Sequence, residues 1–556
     1  MTSEKVERVI YYHERTKHLP HQYARSAGFM DWANEPFPFR IYEGVPTIKL
    51  PLEEKDPQAG HLDMYKRANN QSMPFTIKNI GKCLELSLGI SAWKSYGTNS
   101  WALRINPSSG NLHPTEAHLI LPPLPESQNK GTICHYNPLY HALEVRARVE
   151  ENVWNEICVT ARDGFFIALS SIYWRESWKY GERAFRYCNL DVGHALAAIS
   201  FSASLLGWTA SAVNPLSHKE LSKLLGFHKT DWKEFESEDP EILLYIQGKS
   251  AERVDWESSK QYFDSFSQLT FKGEPNKLSK DHENWSIIDE VALMTHKERS
   301  GNNHSNYDEQ PFLPERKNEI TAATAMRQRR SAQNFDGRTL IDKEAFFALL
   351  EKTIPRNNQA PFDIETGGIN VNLLIFVHRV KELEQGIYFL DRSGDPLERI
   401  KNICKSNFLW EKNDDIPGDL SLYLLKKGNY INEATMLSCQ QAIAGDSAFF
   451  LGMIANFKEV LKEAPSNYRR LFWECGIIGQ VLYLEAEFAG LRGTGIGCFY
   501  DDLVHELLGI KDNSFQSLYH FTVGGPLEDK RLSTLPPYHH LKNESEKNNV
   551  KRGSTK

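Results

Sequence analysis

Two stretches of this chain, residues 188–226 and 471–509, align with each other over 39 positions without a gap. They share Gly193/Gly476, Ala203/Ala486, Gly207/Gly490 and the Leu-Leu-Gly triplets at 224–226 and 507–509. The shared glycines punctuate a helix start and two helix ends, and the apolar positions between them mostly correspond. Such a self-match makes the chain a fused pair of related units, a dimer written as one polypeptide. A site formed between the subunits of such a dimer would be split between the two halves. The length of 556 residues agrees, being too great for one core and suited to two or three domains.

Bulk properties narrow the function classes. The net charge of −7 is spread along the chain, so no basic face for nucleic acid is implied. The charged N-terminus lacks a signal-like apolar region, and no apolar run approaches the ~18 residues a membrane helix needs. The eight cysteines are dispersed with no CxxC or zinc-like spacing, which reads as reduced, buried thiols in a cytoplasmic protein.

Residues 1–74 are rich in Pro, His and aromatics and read as an extended arm over the body. Residues 75–250 and 320–535 read as two domains, 251–319 as a polar connection with one short helix near 285–295, and 536–556 as a disordered tail. In the first domain, 131–144 looks like strand–turn–strand, and 386–398 is its counterpart in the second. Helical segments over 442–455 and a strand over 519–524 are also expected. Helices and strands mix without strict βαβ alternation, so the class is α+β.

Two loops stand out for chemistry, and a glycine-dense segment accompanies them. Arg104-Ile-Asn-Pro107-Ser108-Ser109-Gly-Asn111-Leu-His-Pro114 has small hydroxylated residues and a glycine, which let backbone approach a flat ring and bond its heteroatoms; an ordinary strand-capping turn is the alternative. Arg327, Arg329 and Arg330, followed by Ser331, offer forked donors for a phosphate or polarised ring oxygens; a solvated basic helix end is the alternative. The segment from Gly490 to Phe499 follows a helix rather than a strand, so it is not a dinucleotide-binding turn. His13, His18, His21, His135 and His141 show no HExxH spacing, and no metal site is expected.

Together these motifs resemble the FMN-dependent nitroreductase family, whose members are α+β homodimers with FMN at the subunit interface. Arg329-Arg330-Ser331 matches its Arg-x-Ser start, Pro107–Pro114 its Pro-Ser loop with His113 in place of the usual Gln, and Thr494–Phe499 its late glycine segment. The likeness is more specific to the SagB/ThcOx dehydrogenase branch, through Arg104–Pro114 and the pair Lys179-Tyr180 ahead of a long helix. The resemblance spans roughly 75–250 and 320–530 and implies a duplicated nitroreductase-like fold forming an intramolecular pseudo-dimer. Each half has lost what the other keeps: the second half has Glu365–Asn370 where the first has its Pro-Ser loop, and the first has Ser211–Pro215 where the second has Thr494–Cys498. One complete FMN site is therefore implied, with Arg329, Arg330, Ser331, Ile496 and Gly497 from the second half and Arg104, Pro107, Ser108, Ser109 and Asn111 from the first. Lys530 and Arg531 stand where the family often places a phosphate-binding cation, a solvated tail charge being the alternative.

Lys179 and Tyr180 are the catalytic candidates, since removing a proton while hydride passes to flavin N5 needs a moderated base near the ring; a solvated Lys179 on an amphipathic helix entry is the alternative. Lys179 has the counterpart Lys462, but Tyr180 maps onto Glu463. The expected function is an FMN-dependent dehydrogenase or oxidase acting on a small or peptide-derived heterocycle, with O2 or another oxidant as acceptor. The chain would act as a monomeric pseudo-dimer or a higher homo-oligomer, without nucleic acid or membrane. An NAD(P)H-dependent nitro or quinone reductase and a flavin-free scaffold subunit are the alternatives.

Overall fold

The computed structural model describes residues 2–541 except 54, 67–70, 159–163, 249–253, 255, 257–259, 299–306, 308–311, 314–319, 365, 393–396, 413–415 and 418–419. Each half builds a seven-stranded antiparallel sheet. In spatial order the first runs Thr47–Lys49, Ala142–Val149, Lys130–Asn137, Thr115–Leu124, Gly164–Ser171, Asp239–Gly248 and Trp208–Ala212. The second runs Glu411–Lys412, Leu422–Lys427, Gly386–Leu390, Val371–Val377, Phe449–Asn456, Phe515–Gly524 and Arg492–Ile496. Six of the seven strands follow the same order in both sheets, so the fold is α+β and duplicated. The outer edge strand differs, Thr47–Lys49 preceding all its sheet partners in sequence and Glu411–Lys412 falling between Gly386–Leu390 and Leu422–Lys427.

Between the sheets lie two 22-residue helices, Ala184–Leu205 and Asn467–Phe488, offset by the same 283 positions as the sequence repeat. Apolar residues surround both, as expected of helices with no solvent face, and every residue of the first is buried. They pack where Gly193 meets Gly476. A Cβ on Gly476 would stand 2.2 Å from the Leu190 carbonyl oxygen and 2.8 Å from the Gly193 Cα. The repeated glycine thus permits backbone-to-backbone contact at the centre of the molecule.

The ends of the chain cross over between the halves. The arm does not begin extended: Thr2–Arg15 is a helix, with Val9 and Tyr12 buried against Phe185 of the first half and Tyr468 of the second. Its apolar residues recur at 6, 9 and 12, a helical spacing. Farther on the arm supplies Thr47–Lys49 to the edge of the first sheet. At the other end, Ser533–Leu535 pairs with Ile90–Tyr96, which pairs with Asn99–Arg104. Residues 536–541 are not a free tail, since Tyr538 is buried and its hydroxyl accepts from the Ile90 amide; the expectation for 542–556 lies outside the described residues.

Two other expectations are corrected. After Gly386–Leu390 the chain forms a helix, Leu397–Ile403, where a second strand was expected. Leu397, Ile400 and Ile403 fall at i, i+3 and i+6, a helical rather than an alternating pattern. Residues 442–455 are helical only at their start: Ala442–Asp446 is a short helix, and Phe449–Asn456 is a central strand covered on both faces, whose continuous apolar run hides its period. The short helix of the connection is found at Ser286–Met294. No described helix is long and apolar enough to cross a membrane.

Candidate functional site

The loop after Asn99–Arg104 turns tightly because Gly110, Asn111 and His113 all take left-handed backbone angles, with φ of 61°, 63° and 52°. Gly and Asn tolerate this region, whereas His113 is held there. The Ser108 hydroxyl accepts from the His113 amide at 2.8 Å, Arg175 donates to the His113 carbonyl at 2.6 Å, and Asn111 Nδ2 donates to the Ala102 carbonyl at 3.0 Å. Arg175 is fixed in turn by the buried carboxylate of Glu116. Burial alone would raise the Glu116 pKa, but Arg175 and His135 bring it down to about 2. One loop amide is not free for a ligand: Ser109 N donates to Asp191 at 3.1 Å.

The Arg-Arg-Ser segment leaves the helix Ala322–Gln328 and runs beside the strand Arg492–Ile496, with the Ala332 amide donating to the Gly493 carbonyl. Ser331 Oγ lies 2.8 Å from the Tyr483 hydroxyl, which accepts from the Gly495 amide at 3.0 Å. Arg329 reaches across to the first half and donates to the carbonyls of Arg104 and Ile105 at 2.9 and 3.1 Å. Its guanidinium therefore ties the two halves together beneath the loop. Arg330 donates mainly to the carbonyls of Arg327 and Arg329.

These segments enclose a cavity of about 450 Å³ lined from both halves. Arg104, Pro107, Ser108, Ser109, Asn111 and Tyr180 come from the first half, and Arg329, Arg330, Ser331, Ile496 and Gly497 from the second. Lys179 is not among the lining residues: it ends α-helix Tyr173–Tyr180, with its ammonium 3.1 Å from where a Gly110 Cβ would lie. Lys530 and Arg531 do not line it either, and Arg531 is an exposed partner of Asp529.

The cations that do face this end of the cavity are Lys94 and Arg492, beside Arg330. Burial lowers the Lys94 pKa, and Arg330 and Arg492 lower it further against the pull of Glu528. Burial and Arg329 bring Arg330 down to about 10. Mutual repulsion of this kind is relieved by a bound anion. Sequence motifs also missed Tyr187, Asp191 and His194, which line the cavity from one buried helix. Their i, i+4, i+7 spacing was the available signal. Burial pushes Asp191 up to about 7, against the opposing effect of the hydrogen bonds it accepts from Ser108 and Ser109. Tyr180 keeps its proton, because burial and the nearby Glu176 raise its pKa.

The position related to this cavity by the 283-residue offset is filled. Only about 40 Å³ remains among Val213, Asn214, Thr366, Arg469, Arg470 and residues of the connection. Arg469 pairs with Asp239 at 2.9 Å and Glu241 at 2.6 Å, and Arg470 lies against Gly367. From the connection, Thr295 Oγ1 accepts from Arg469 and Lys297 donates to the Asn214 carbonyl. His218 and His296 stack here at 3.5 Å, and both reach Asp239 Oδ1. Their spacing in sequence gave no hint of this grouping, in which Asp239 is already shared with Arg469 and Tyr173. Of the histidines weighed for metal binding, His13 lies between Tyr468 and Gln516, His135 between Glu116 and Glu144, and His141 beside Tyr136.

Comparisons with known proteins agree with this architecture. The sequence model of the nitroreductase family matches residues 326–525. A protein of Methanocaldococcus jannaschii, provisionally named a nitroreductase, is 26% identical over 161 residues, covering 28% of this chain and 76% of its own length. A crystal structure from Anabaena variabilis ATCC 29413, of a protein with the same provisional name, superposes with a TM-score of 0.67 over 94% of this chain and 99% of that one, at 21% identity. That likeness concerns the fold of the whole chain, and the family match its second half. Residues 326–525 constitute a nitroreductase-family domain.

Proposed function

We propose that the chain is an FMN-dependent oxidoreductase that holds one FMN between its halves. The observation that carries this reading is the pairing of one open cavity with one filled counterpart. The open cavity falls within the ~300–1,000 Å³ range of small-molecule and cofactor sites. It presents aromatic walls from Tyr180, Tyr187 and Tyr483, and a basic end from Lys94, Arg330 and Arg492. Asn106 Oδ1 and His113 Nδ1, both buried at its lining, have no hydrogen-bond partner among the described residues. Those polar atoms suit the heteroatoms of a flavin ring, and the basic end suits its phosphate.

When bound, FMN supplies a two-electron acceptor for hydride, which it passes on to a second oxidant. The residues of this chain position and shield. The Pro-Ser loop presents its backbone and Asn106, and the Tyr187 and Tyr483 rings exclude water from the interior. Tyr180, protonated, offers a hydroxyl donor to the substrate. Lys179 would act as proton acceptor by moving its flexible side chain past Gly110. The resemblance to the SagB/ThcOx branch favours dehydrogenation of a small or peptide-derived heterocycle, in the cytoplasm, with O2 or another oxidant as acceptor.

The test is flavin stoichiometry in purified full-length protein, read from absorbance against polypeptide concentration. One FMN per chain is expected. A ratio near two, or a colourless protein that takes up no added FMN, overturns the proposal. Prompt anaerobic bleaching by NADH or NADPH would assign the chain to reduction of nitro compounds or quinones instead of dehydrogenation.

A further inference from the structure

Most of the described cysteines are inaccessible: Cys83, Cys134, Cys188 and Cys475 are buried in the cores. Cys439 and Cys498 differ. Both are half-buried, their sulfurs lie 2.9 Å apart, and Cys498 lines the cavity between the halves. They come from separate segments. Cys498 follows the strand Arg492–Ile496, and Cys439 sits in the turn between the helices Ile431–Leu437 and Ala442–Asp446.

That turn is held in an unusual shape. Cys439 and Gln440 have φ of 52° and 60°, a left-handed conformation that side chains other than Gly and Asn seldom adopt. Gln441 Nε2 donates to the Cys498 carbonyl at 3.0 Å, which fastens the turn to the cavity wall. Strained backbone persists where the surroundings over-determine it, and it clusters at functional positions. Here it places one thiol against another.

The surroundings favour a thiolate at one of the two sulfurs. His18 Nδ1 accepts from the Ala24 amide, so the neutral ring carries its proton on Nε2, and His18 also hydrogen-bonds Cys498. Arg183 donates to the Gly497 carbonyl and stacks over Phe499, bringing a fixed positive charge beside residue 498. Tyr23 faces the pair from the arm, and Tyr180 and Tyr187 from the cavity side, all with raised pKa. The hydrogen bond with Cys439, then His18 and Arg183, hold the Cys498 thiol below its ordinary range against the opposing effect of burial, while Cys439 is pushed up. An attacking thiolate beside a protonated partner is the arrangement that disulfide exchange requires.

We propose that Cys498 and Cys439 form a thiol–disulfide exchange site on the cavity wall, whose oxidant is a low-molecular-weight disulfide. The Cys498 thiolate attacks one sulfur of that disulfide, forming a mixed disulfide and releasing one small thiolate. Cys439 loses its proton and attacks Cys498 Sγ, forming the Cys439–Cys498 bond and releasing the second small thiolate. The two protein thiols are oxidised and the small disulfide is reduced to two thiols. Closing the sulfurs to the ~2.05 Å of a disulfide needs a movement of less than about 1 Å. The bond would link the 437–442 turn to the 496–499 segment, so the wall of the cavity would respond to the thiol–disulfide poise.

The experiment uses full-length protein equilibrated with oxidised and reduced glutathione at several ratios, then differential alkylation and peptide mass spectrometry. It reads covalent state, with or without added FMN, and does not depend on turnover. Wild type is expected to lose these two thiols together and to yield a crosslinked 439–498 peptide pair. Cys439→Ser is expected to accumulate a stable glutathione adduct on Cys498, formed at least tenfold faster than on half-buried Cys404 at pH 6.5. Cys498→Ser should leave Cys439 unmodified under the same conditions. Full alkylation of both thiols at every ratio, or equal adduct rates at Cys498 and Cys404, overturns the proposal.

Discussion

Replacing Gly476 by Ala tests the central helix contact most directly. The added Cβ would lie 2.2 Å from the Leu190 carbonyl oxygen and 2.8 Å from both the Gly193 Cα and the His194 amide nitrogen. All three are backbone atoms, so no side chain can swing aside. Reaching an ordinary contact of ~3.4 Å requires the helices to separate by roughly 1 Å, an overpacking that costs about 1–3 kcal/mol and falls at the upper end when backbone must move. Alanine returns about 1 kcal/mol of helix propensity, leaving a net loss near 2 kcal/mol. With a urea m-value of about 2–3 kcal/mol per molar, the unfolding midpoint should fall by roughly 1 M. Gly81→Ala is the control: it is also within a helix, and its nearest neighbour is the Leu50 Cβ at 3.2 Å. That change should be near neutral. The Gly476 variant should also bind flavin more weakly, because Tyr187, Asp191 and His194 ride on the displaced helix. Equal midpoints for Gly476→Ala and wild type would refute the close packing argued from the repeat.

Asp191, with a folded pKa raised to about 7, binds more protons in the folded than in the unfolded state between about pH 4 and 7. Its contribution is therefore present below about pH 4 and lost as pH rises to 7; Asp191→Asn should flatten that fall and be more stable than wild type at pH 8, as read from urea midpoints at pH 5 and 8. Arg469→Ala leaves Asp239 and Glu241 without their shared guanidinium in the filled counterpart, and should cost about 3–5 kcal/mol of unfolding free energy, read from urea titration. Lys179→Ala should retain a full complement of flavin and lose about 10²-fold in turnover, and unchanged turnover would remove Lys179 from the mechanism.

Much of this arrangement was legible before the structure. The 283-residue offset fixed both long helices, and the Arg-Arg-Ser, Pro-Ser and glycine segments do meet in one cavity. What stayed hidden were side chains brought in by tertiary packing. Lys94 sits singly on a strand with nothing in its neighbours to mark it, and Arg492, although inside the glycine-dense segment, is a lone cation there; the two share a cavity wall only in the folded chain. The helix-forming spacing at 397–403 was outweighed by the apparent match to the first-half hairpin. The continuous apolar run at 449–456 offers no period by which a covered strand can be told from a buried helix.

Thr295 and Lys297 belong to the segment that makes one chain of two units, and they close the second pocket. A true twofold dimer must express every substitution at both of its sites. One polypeptide is free of that obligation, and a single connection can pass only one of two equivalent openings. Tyr187 and Arg470, or Asp191 and Glu474, are corresponding positions that took different paths under this freedom. Active sites retain polar and strained groups that tax stability. With one flavin site per chain, as proposed, the fused molecule bears that burden once, and the corresponding opening is filled by an ion-paired anchor around Arg469.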